Sequence, residues 1–468
     1  MRNFLTEKLW IKSTILQKLH TPYKFQRPLR FARGGVTPDK VLFVPHHLSH
    51  AAAAFYPSPF SRAAFFTLDA VGEWSTSSWG VAKESRLFPI FEMRFPHSIG
   101  MWYSAFTAFL GFEVNDGEYK VMGMAGYGKP HYKDLVKKTI RQLSDGSIVL
   151  NLDYLEFHRS ARRMYSKLFE ETFSGIDQFD LTASLQSVAE EIILNMMNII
   201  QKKTKETNLV YGGGVALNSV VNGKILRNTK FKDVFIFPAA GDDGGAVGAA
   251  LYVYHHVLGN RKRKKLENVF LGPDYKNYNK YKNYKYYKEK ELLDFVTDQL
   301  VKGKVIGWFE GRAEFGPRAL GHRSILADPI NPKMKDIVNE KVKFREQFRP
   351  FAPVVLEEQA SKYFDRIPFH LARYMLATVA AKSSAKKIAP AVVHVDGTSR
   401  IQTVAKSYDG RFRSLLEVFY KKTKRPILLN TSFNLKGEPI VNSPADAYKT
   451  FMKSGLDVLV VENYVITK

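Results

Sequence analysis

Two stretches of this chain share one grammar. "NLVYGGGVALNSVVNGKIL" from Asn208 and "VFIFPAAGDDGGAVGAALYVYHHVL" from Val234 each run from a short apolar segment through glycines into a helix-forming stretch. A strand that breaks at glycine and feeds a helix is best buried in an α/β layer, and ligands of such sheets gather at the loops after the strands. Ala63–Asp69, "AAFFTLD", and the apolar run Val41–Val44 read as further buried strands. Ser75–Ala82 reads as a hairpin partner. Leu185, Val188, Ile192, Met196 and Ile199 recur at helical spacing and predict an amphipathic helix packed on the sheet.

The grammar returns near the C-terminus. "GKVIGWFEGR" and "RPILLNTSFN" read as strands running into loops, and "DAYKTFMKSGLDVLVVENYVI" as a helix followed by a strand. We therefore expect an N-terminal unit over 1–258, a basic linker over 259–275 and a second α/β unit over 276–468. The stretch Arg261–Lys290 is dense in Lys, Tyr and Asn. It has two readings, a basic aromatic patch for single-stranded nucleic acid or a solvated linker, and the linker is preferred.

Composition narrows the chemistry. The 468 residues include no cysteine, so thiolate nucleophiles, disulfides, zinc–thiolate sites and iron–sulfur clusters are excluded. No run of 18 apolar residues predicts a membrane span, and the N-terminus does not read as a signal peptide, so a cytoplasmic protein is expected. A net charge of +25 favours anionic partners.

Three groups of residues carry chemistry. His46 and His50 are spaced i, i+4, so on a helical turn both face one point, while His47 faces elsewhere. Asp69 or Asp242 would complete a His/His/Asp metal site. The alternative is that the histidines cap a strand and bond to backbone. Gly212–Asn218 and Gly241–Ala250 are glycine loops that let backbone approach an anion or a flat ring. Arg312, Arg318, His322 and Arg323 are followed by Lys341, Lys343, Arg345 and Arg349, then Arg400, then Asn430, Ser432 and Asn434. Cations beside glycines and hydroxyls suit phosphates or carboxylates, and flanking Phe315, Phe348 and Phe351 argue for a cleft rather than a solvated face. Asp116, Glu118 and Lys120 form a polar cluster that would hold a ribose or solvate a loop.

With these motifs in order, the chain resembles the carbamoyltransferase family of nodulation-factor, cephem and aminoglycoside O-carbamoyltransferases. "HHLSHAAAAFYPSPF", "TLDAVGEWSTSSWG", "EYKVMGMAGYGKP", "GGGVALN", "GDDGGAVGAA", "FGPRALGHRSILADP", "FRPFAP", "HVDGTSRIQTV" and "NTSFNLKGEPIV" stand in family order. The resemblance implies an α/β protein in two parts. The first is an actin/hexokinase-like ATPase-type domain, here incomplete, like the tRNA threonylcarbamoyl transferase subunit. The second is a threonylcarbamoyl-AMP-synthase-like α/β domain. It implies that ATP and carbamoyl phosphate, with Mg2+, give carbamoyl-AMP, whose carbamoyl group passes to a hydroxyl of a small-molecule or glycan acceptor.

By the same resemblance His46, His50 and Asp242 are metal ligands, for Fe2+ or another divalent ion. Asp69 belongs to a phosphate loop beside them. Gly213, Gly214 and Asn218 lie in the nucleoside loop, with Glu118 and Lys120 near the nucleotide. Arg318, Lys343, Arg349, Arg400, Ser432 and Asn434 match positions that hold carbamoyl phosphate and ATP. His47 or Asp69 is the expected base for the acceptor hydroxyl. The family's opening strand, its His-Asp-x-Ser-Ala loop and its Glu-Glu-Arg motif have no counterpart here, so a homodimer or a separately encoded N-terminal fragment is an expected partner. The competing readings are a tRNA-modifying enzyme of the threonylcarbamoyl class and a remnant that only binds nucleotide. The C-terminal arginine motifs speak against the nucleic-acid partner.

Overall fold

The computed structural model describes residues 42–160, 162–275, 284–408 and 410–468. Val41, the first residue of the expected strand Val41–Val44, lies outside them.

The N-terminal half is built on a five-stranded sheet. Its strands are β1 (Arg62–Gly72), β2 (Ser75–Lys83), β3 (Arg86–Arg94), β4 (Asn208–Gly212) and β5 (Asp233–Ile236), in the order β3-β2-β1-β4-β5. β1, β2 and β3 form an antiparallel meander, and β1, β4 and β5 run parallel. The sequence explains why β1 is central. Ala64, Phe66 and Leu68 pack into one core, while Ala63 and Phe65 pack into another on the opposite face. A strand buried on both faces needs such a continuous apolar run.

Helix α1 (His46–Phe55) covers one face, and the 27-residue α2 (Gln178–Thr204) covers the other. α2 starts at Asp177, whose side chain accepts from the N–H groups of Phe179 and Asp180 at 3.0 Å. The alanines of α1 let it lie close to β1 and to α3 (Gly245–Leu251). At Gly248 a Cβ would stand 1.9 Å from the Ser49 carbonyl oxygen, so this crossing requires glycine.

The C-terminal half holds an eight-stranded mixed sheet. Its strands are β6 (Lys285–Tyr286), β7 (Ile306–Phe309), β8 (Arg323–Ala327), β9 (Ala352–Leu356), β10 (Gln402–Val404), β11 (Ile427–Ser432), β12 (Val458–Val461) and β13 (Tyr464–Thr467). The order is β10-β9-β11-β8-β7-β12-β13-β6. Ile325 and Ala327 face one core and Leu326 the other, so both faces are covered here as well. Helix α4 (Arg411–Thr423) packs on the Leu326 side through Phe412, Leu415 and Phe419.

One expected strand is corrected. Leu42–Val44 form no strand: they lead as loop into α1, with Phe43 74% exposed. A run of four apolar residues makes a strand only beside a partner, and β1 already has both of its partners. The linker is solvated along its lysines and is also fastened at several points. Within 259–275 the chain is a fastened strap. The Arg263 guanidinium donates to the carbonyls of Phe55, Tyr56, Ser58 and Phe60 and lies 4.0 Å over the Phe55 ring. Leu266 N–H bonds Pro57, Phe270 stacks on His322 at 3.5 Å, and Gly272 N–H bonds Ala313. Residues 276–283 of that stretch lie outside the described residues. After "GGG" the chain makes single turns, Gly214–Leu217, Ser219–Asn222 and Ile225–Asn228, rather than one helix.

The halves also meet directly. Asn222 Nδ2 donates to the Leu376 carbonyl at 2.9 Å, Thr378 Oγ1 to Ser219 Oγ at 3.0 Å, and Lys335 Nζ to the Tyr127 hydroxyl at 2.8 Å.

Candidate active site

One turn of α1 brings His46 and His50 to the C-terminal ends of the parallel strands. Asp69 arrives near the end of β1, and Asp242 on the loop after β5. The His46 and His50 Nε2 atoms are 2.9 Å apart. Asp69 Oδ2 lies 3.1 and 2.9 Å from them, and Asp242 Oδ1 3.3 and 3.5 Å. At metal bonds of about 2.1 Å, neighbouring ligand atoms lie about 3.0 Å apart in an octahedron and about 3.4 Å in a tetrahedron. The four donors therefore have the mutual spacing that a divalent ion imposes.

The local field agrees. Burial opposes a charge on His50, but the hydrogen bonds and charges of Asp242 and Asp69 outweigh it and raise the imidazole to about 9. Burial would raise the Asp69 carboxyl, yet His46 and His50 hold it far below the usual range. This point is built to receive positive charge, and a two-imidazole, two-carboxylate set suits iron, manganese or zinc. Asp69 is thus a fourth member of the donor group, beyond the His46, His50 and Asp242 expected by resemblance.

His47 is corrected. Its Nδ1 meets Thr67 Oγ1 at 2.8 Å, and its Nε2 lies 3.0 Å from the Ser75 carbonyl. Burial, then the charge of His46, lowers it to about 4. With both nitrogens committed to the sheet, it cannot take a proton from an acceptor. It anchors the first turn of α1. Asp69, the other expected base, faces the imidazoles with one oxygen and accepts from Ala70 N–H with the other.

Glycines shape the surroundings. A Cβ at Gly72 would stand 2.2 Å from His46 Cδ2. Gly213 has φ +90° and would strike the Leu68 carbonyl at 2.1 Å, while a Cβ on Gly214 would press on Asp69 Oδ1 at 3.1 Å. Gly213 and Gly214 therefore border the donor cluster directly. Asn218 spends its carboxamide on Val221 N–H and on a mutual pair with Gln186.

The second cluster lies in the C-terminal half and is cationic. The ammonium of Lys343 donates to the carbonyls and side-chain oxygens of both Ser432 and Asn434. Burial, then Arg345 and Arg349, pushes its pKa well below the ordinary value. Arg400 is depressed by burial and then by Arg318, Arg345 and Arg349, so these four guanidinium groups share one region. The buried Nε atoms of Arg318 and Arg400 have no partner among the described residues. Arg349 reaches Glu346 at 3.6 Å and donates to the Tyr119 hydroxyl at 2.9 Å. Cations gathered with so few acceptors suit a polyanion.

Other expected residues stand apart. Glu118 accepts from Ser104 Oγ at 2.6 Å and from Asn115 N–H, and Lys120 pairs with Asp116 at 3.4 Å. Between them, Tyr119 is the side chain that reaches the arginines. Sequence reasoning missed it because nothing in its spacing distinguishes it from its polar neighbours. His322 and Arg323 lie under the strap instead. Arg323 is wholly buried and donates to the carbonyls of Glu310 and Gly311. His322 Nδ1 donates to the Arg312 carbonyl at 2.7 Å, and its Nε2 lies 3.3 Å from Glu310 Oε1. Burial raises that carboxyl to about 8.

Comparison with known proteins follows this geometry. The family model described as Carbamoyltransferase N-terminus matches residues 4–251, and that described as Carbamoyltransferase C-terminus matches residues 297–468. The uncharacterized protein sll1178 of Synechocystis is 41% identical, across 100% of this chain and 82% of its own length. Nodulation protein NolNO of Sinorhizobium fredii is 39% identical, over 92% of this chain and 65% of that protein. Among solved structures, full-length HypF in its phosphate- and nucleotide-bound form overlaps 37% of this chain and 25% of its own, at 17% identity and a TM-score of 0.27. The chain belongs to the carbamoyltransferase family of enzymes.

Proposed function

We propose that the protein is an O-carbamoyltransferase working in two half-reactions at two sites of opposite character. The C-terminal half, with its threonylcarbamoyl-AMP-synthase-like arrangement, takes Mg2+-bound ATP and carbamoyl phosphate. Water cleaves carbamoyl phosphate there to carbamate and phosphate, and a carbamate oxygen then attacks the α-phosphorus of ATP, forming carbamoyl-AMP and expelling pyrophosphate. The N-terminal half, an ATPase-type domain, passes the carbamoyl group to a hydroxyl of a sugar-like acceptor, and AMP leaves with it. The boundaries 1–258, 259–275 and 276–468 divide these tasks.

The observation that carries this reading is the cation cluster. Arg318 and Arg400 present buried Nε atoms with no partner among the described residues, beside Arg345, Arg349 and a Lys343 fixed by Ser432 and Asn434. Such donors stabilise charge on transferring phosphoryl groups and need no general base. His46, His50, Asp69 and Asp242 would hold the divalent ion, which on binding supplies a Lewis acid for a phosphate or carbonyl oxygen. Asp69 keeps both imidazoles oriented, and Gly213 and Gly214 leave room for a nucleotide next to them. The matches to both carbamoyltransferase family models support carbamoyl transfer. Among the described residues no helix is long and apolar enough to cross a membrane.

The test is pyrophosphate release from ATP with and without carbamoyl phosphate. Release that depends on carbamoyl phosphate and is lost in Arg400→Ala is expected. No release from folded, metal-supplied protein overturns the reading.

A further inference from the structure

Tyr119 belongs to the N-terminal half, on the short helix Glu118–Met124, yet its phenol stands among the arginines of the C-terminal half. Its oxygen accepts from Arg349 at 2.9 Å, and the Arg349 guanidinium lies 4.9 Å over its ring. It is also close enough to Arg318 and Arg345 to act on their charges. An accepting phenol still owns one proton, and that O–H meets no acceptor among the described residues. The nearby guanidinium groups are donors only, so they cannot receive it. Its natural acceptor is an anion oxygen held by the same arginines.

We propose that Tyr119 is the N-terminal half's own contribution to the polyanion site: it accepts from Arg349 and donates to a phosphate oxygen of the bound ligand. The site is then complete only across the junction of the two halves. A phosphate-bearing ligand therefore binds more tightly to the docked arrangement, and by reciprocity its binding tightens the docking. The geometry also assigns an order of dependence. Arg318, Arg345 and Arg400 belong to the C-terminal half and attract the anion in either arrangement, whereas Tyr119 and the Arg349 that it orients reward only the docked one. This inference rests on the cation cluster being the phosphate site.

The test is calorimetric titration of the full chain with inorganic pyrophosphate, comparing the parent with Tyr119→Phe and Arg400→Ala. Tyr119→Phe keeps the ring over Arg349 and removes only the hydroxyl, and circular dichroism checks that it is folded. The expected result is that Tyr119→Phe weakens pyrophosphate about tenfold, the loss of one charge-assisted hydrogen bond. Arg400→Ala weakens it further. Pyrophosphate should also raise the melting temperature of the parent more than that of Tyr119→Phe at equal pyrophosphate concentration. Equal affinities for parent and Tyr119→Phe, with Arg400→Ala impaired, overturn the role of Tyr119 and leave the anion site standing. No binding to the parent overturns both.

Discussion

The imidazole of His46 occupies the space where a side chain at Gly72 would stand: a Cβ there would come within 2.2 Å of His46 Cδ2 and 2.4 Å of Cγ. Gly72 ends β1 and takes part in no hydrogen bond to the donor cluster, yet it fixes where the first ligand can point. Gly72→Ala is expected to rotate His46 away from His50 and Asp69. Metal affinity should fall at least about tenfold, as changes that misorient a ligand do, measured by metal titration. Pyrophosphate release should be unchanged.

Removal of the divalent ion should separate the half-reactions. Chelation followed by dialysis and return of Mg2+ alone is expected to abolish carbamoyl transfer and spare carbamoyl-phosphate-dependent pyrophosphate release. It should also lower stability, since an ion at 100 times its dissociation constant contributes about 2.7 kcal/mol. Asp69→Asn should reproduce most of this, because that carboxylate is enclosed between two imidazoles. Asp242→Asn should weaken metal less, because that side chain is 79% exposed. Metal content after dialysis and product analysis check both. Equal metal loading in all three proteins would exclude these donors.

Arg263→Ala removes the guanidinium that closes the end of α1. Its carbonyl partners on Phe55, Tyr56, Ser58 and Phe60 lose their donor, though water can reach some of them. A destabilisation of about 2 kcal/mol is expected from denaturant unfolding, with little change in pyrophosphate affinity.

Glu310 predicts a pH effect with a definite sign. Burial raises its carboxyl to about 8 in the folded chain. Between the ordinary carboxyl value and 8 the folded state therefore binds more protons than the unfolded state, and stability falls as pH rises. Glu310→Gln keeps the shape without the titration. Its melting temperature relative to the parent should climb from about pH 5 to pH 8 and level off beyond. A flat difference would show that Glu310 is ionised throughout.

Part of this architecture was legible from residues alone. Ala63–Asp69 and Ser75–Ala82 pair as an antiparallel hairpin because apolar alternation and β-prone residues act locally. The i, i+4 spacing of His46 and His50 was sufficient to bring them together because a helical turn is local too. Val41–Val44 has the same apolar signal as a strand, but pairing is decided by neighbours far away in the chain. Tyr119 was invisible for that reason: its partner Arg349 is 230 residues distant. The anchors of the strap were not legible because lysine density describes the average residue there, whereas Arg263, Val269 and Phe270 act individually.

That strap has a consequence for the junction. The halves meet through apolar as well as polar contacts: Leu371, Leu376 and Ala377 lie in the N-terminal core, Phe348 meets Phe112 and Phe179, and Asn222, Ser219 and Tyr119 add hydrogen bonds. Arg263 and Phe270 shorten the tether by fixing it to both bodies, so a high local concentration of one half around the other adds to the affinity of the interface itself.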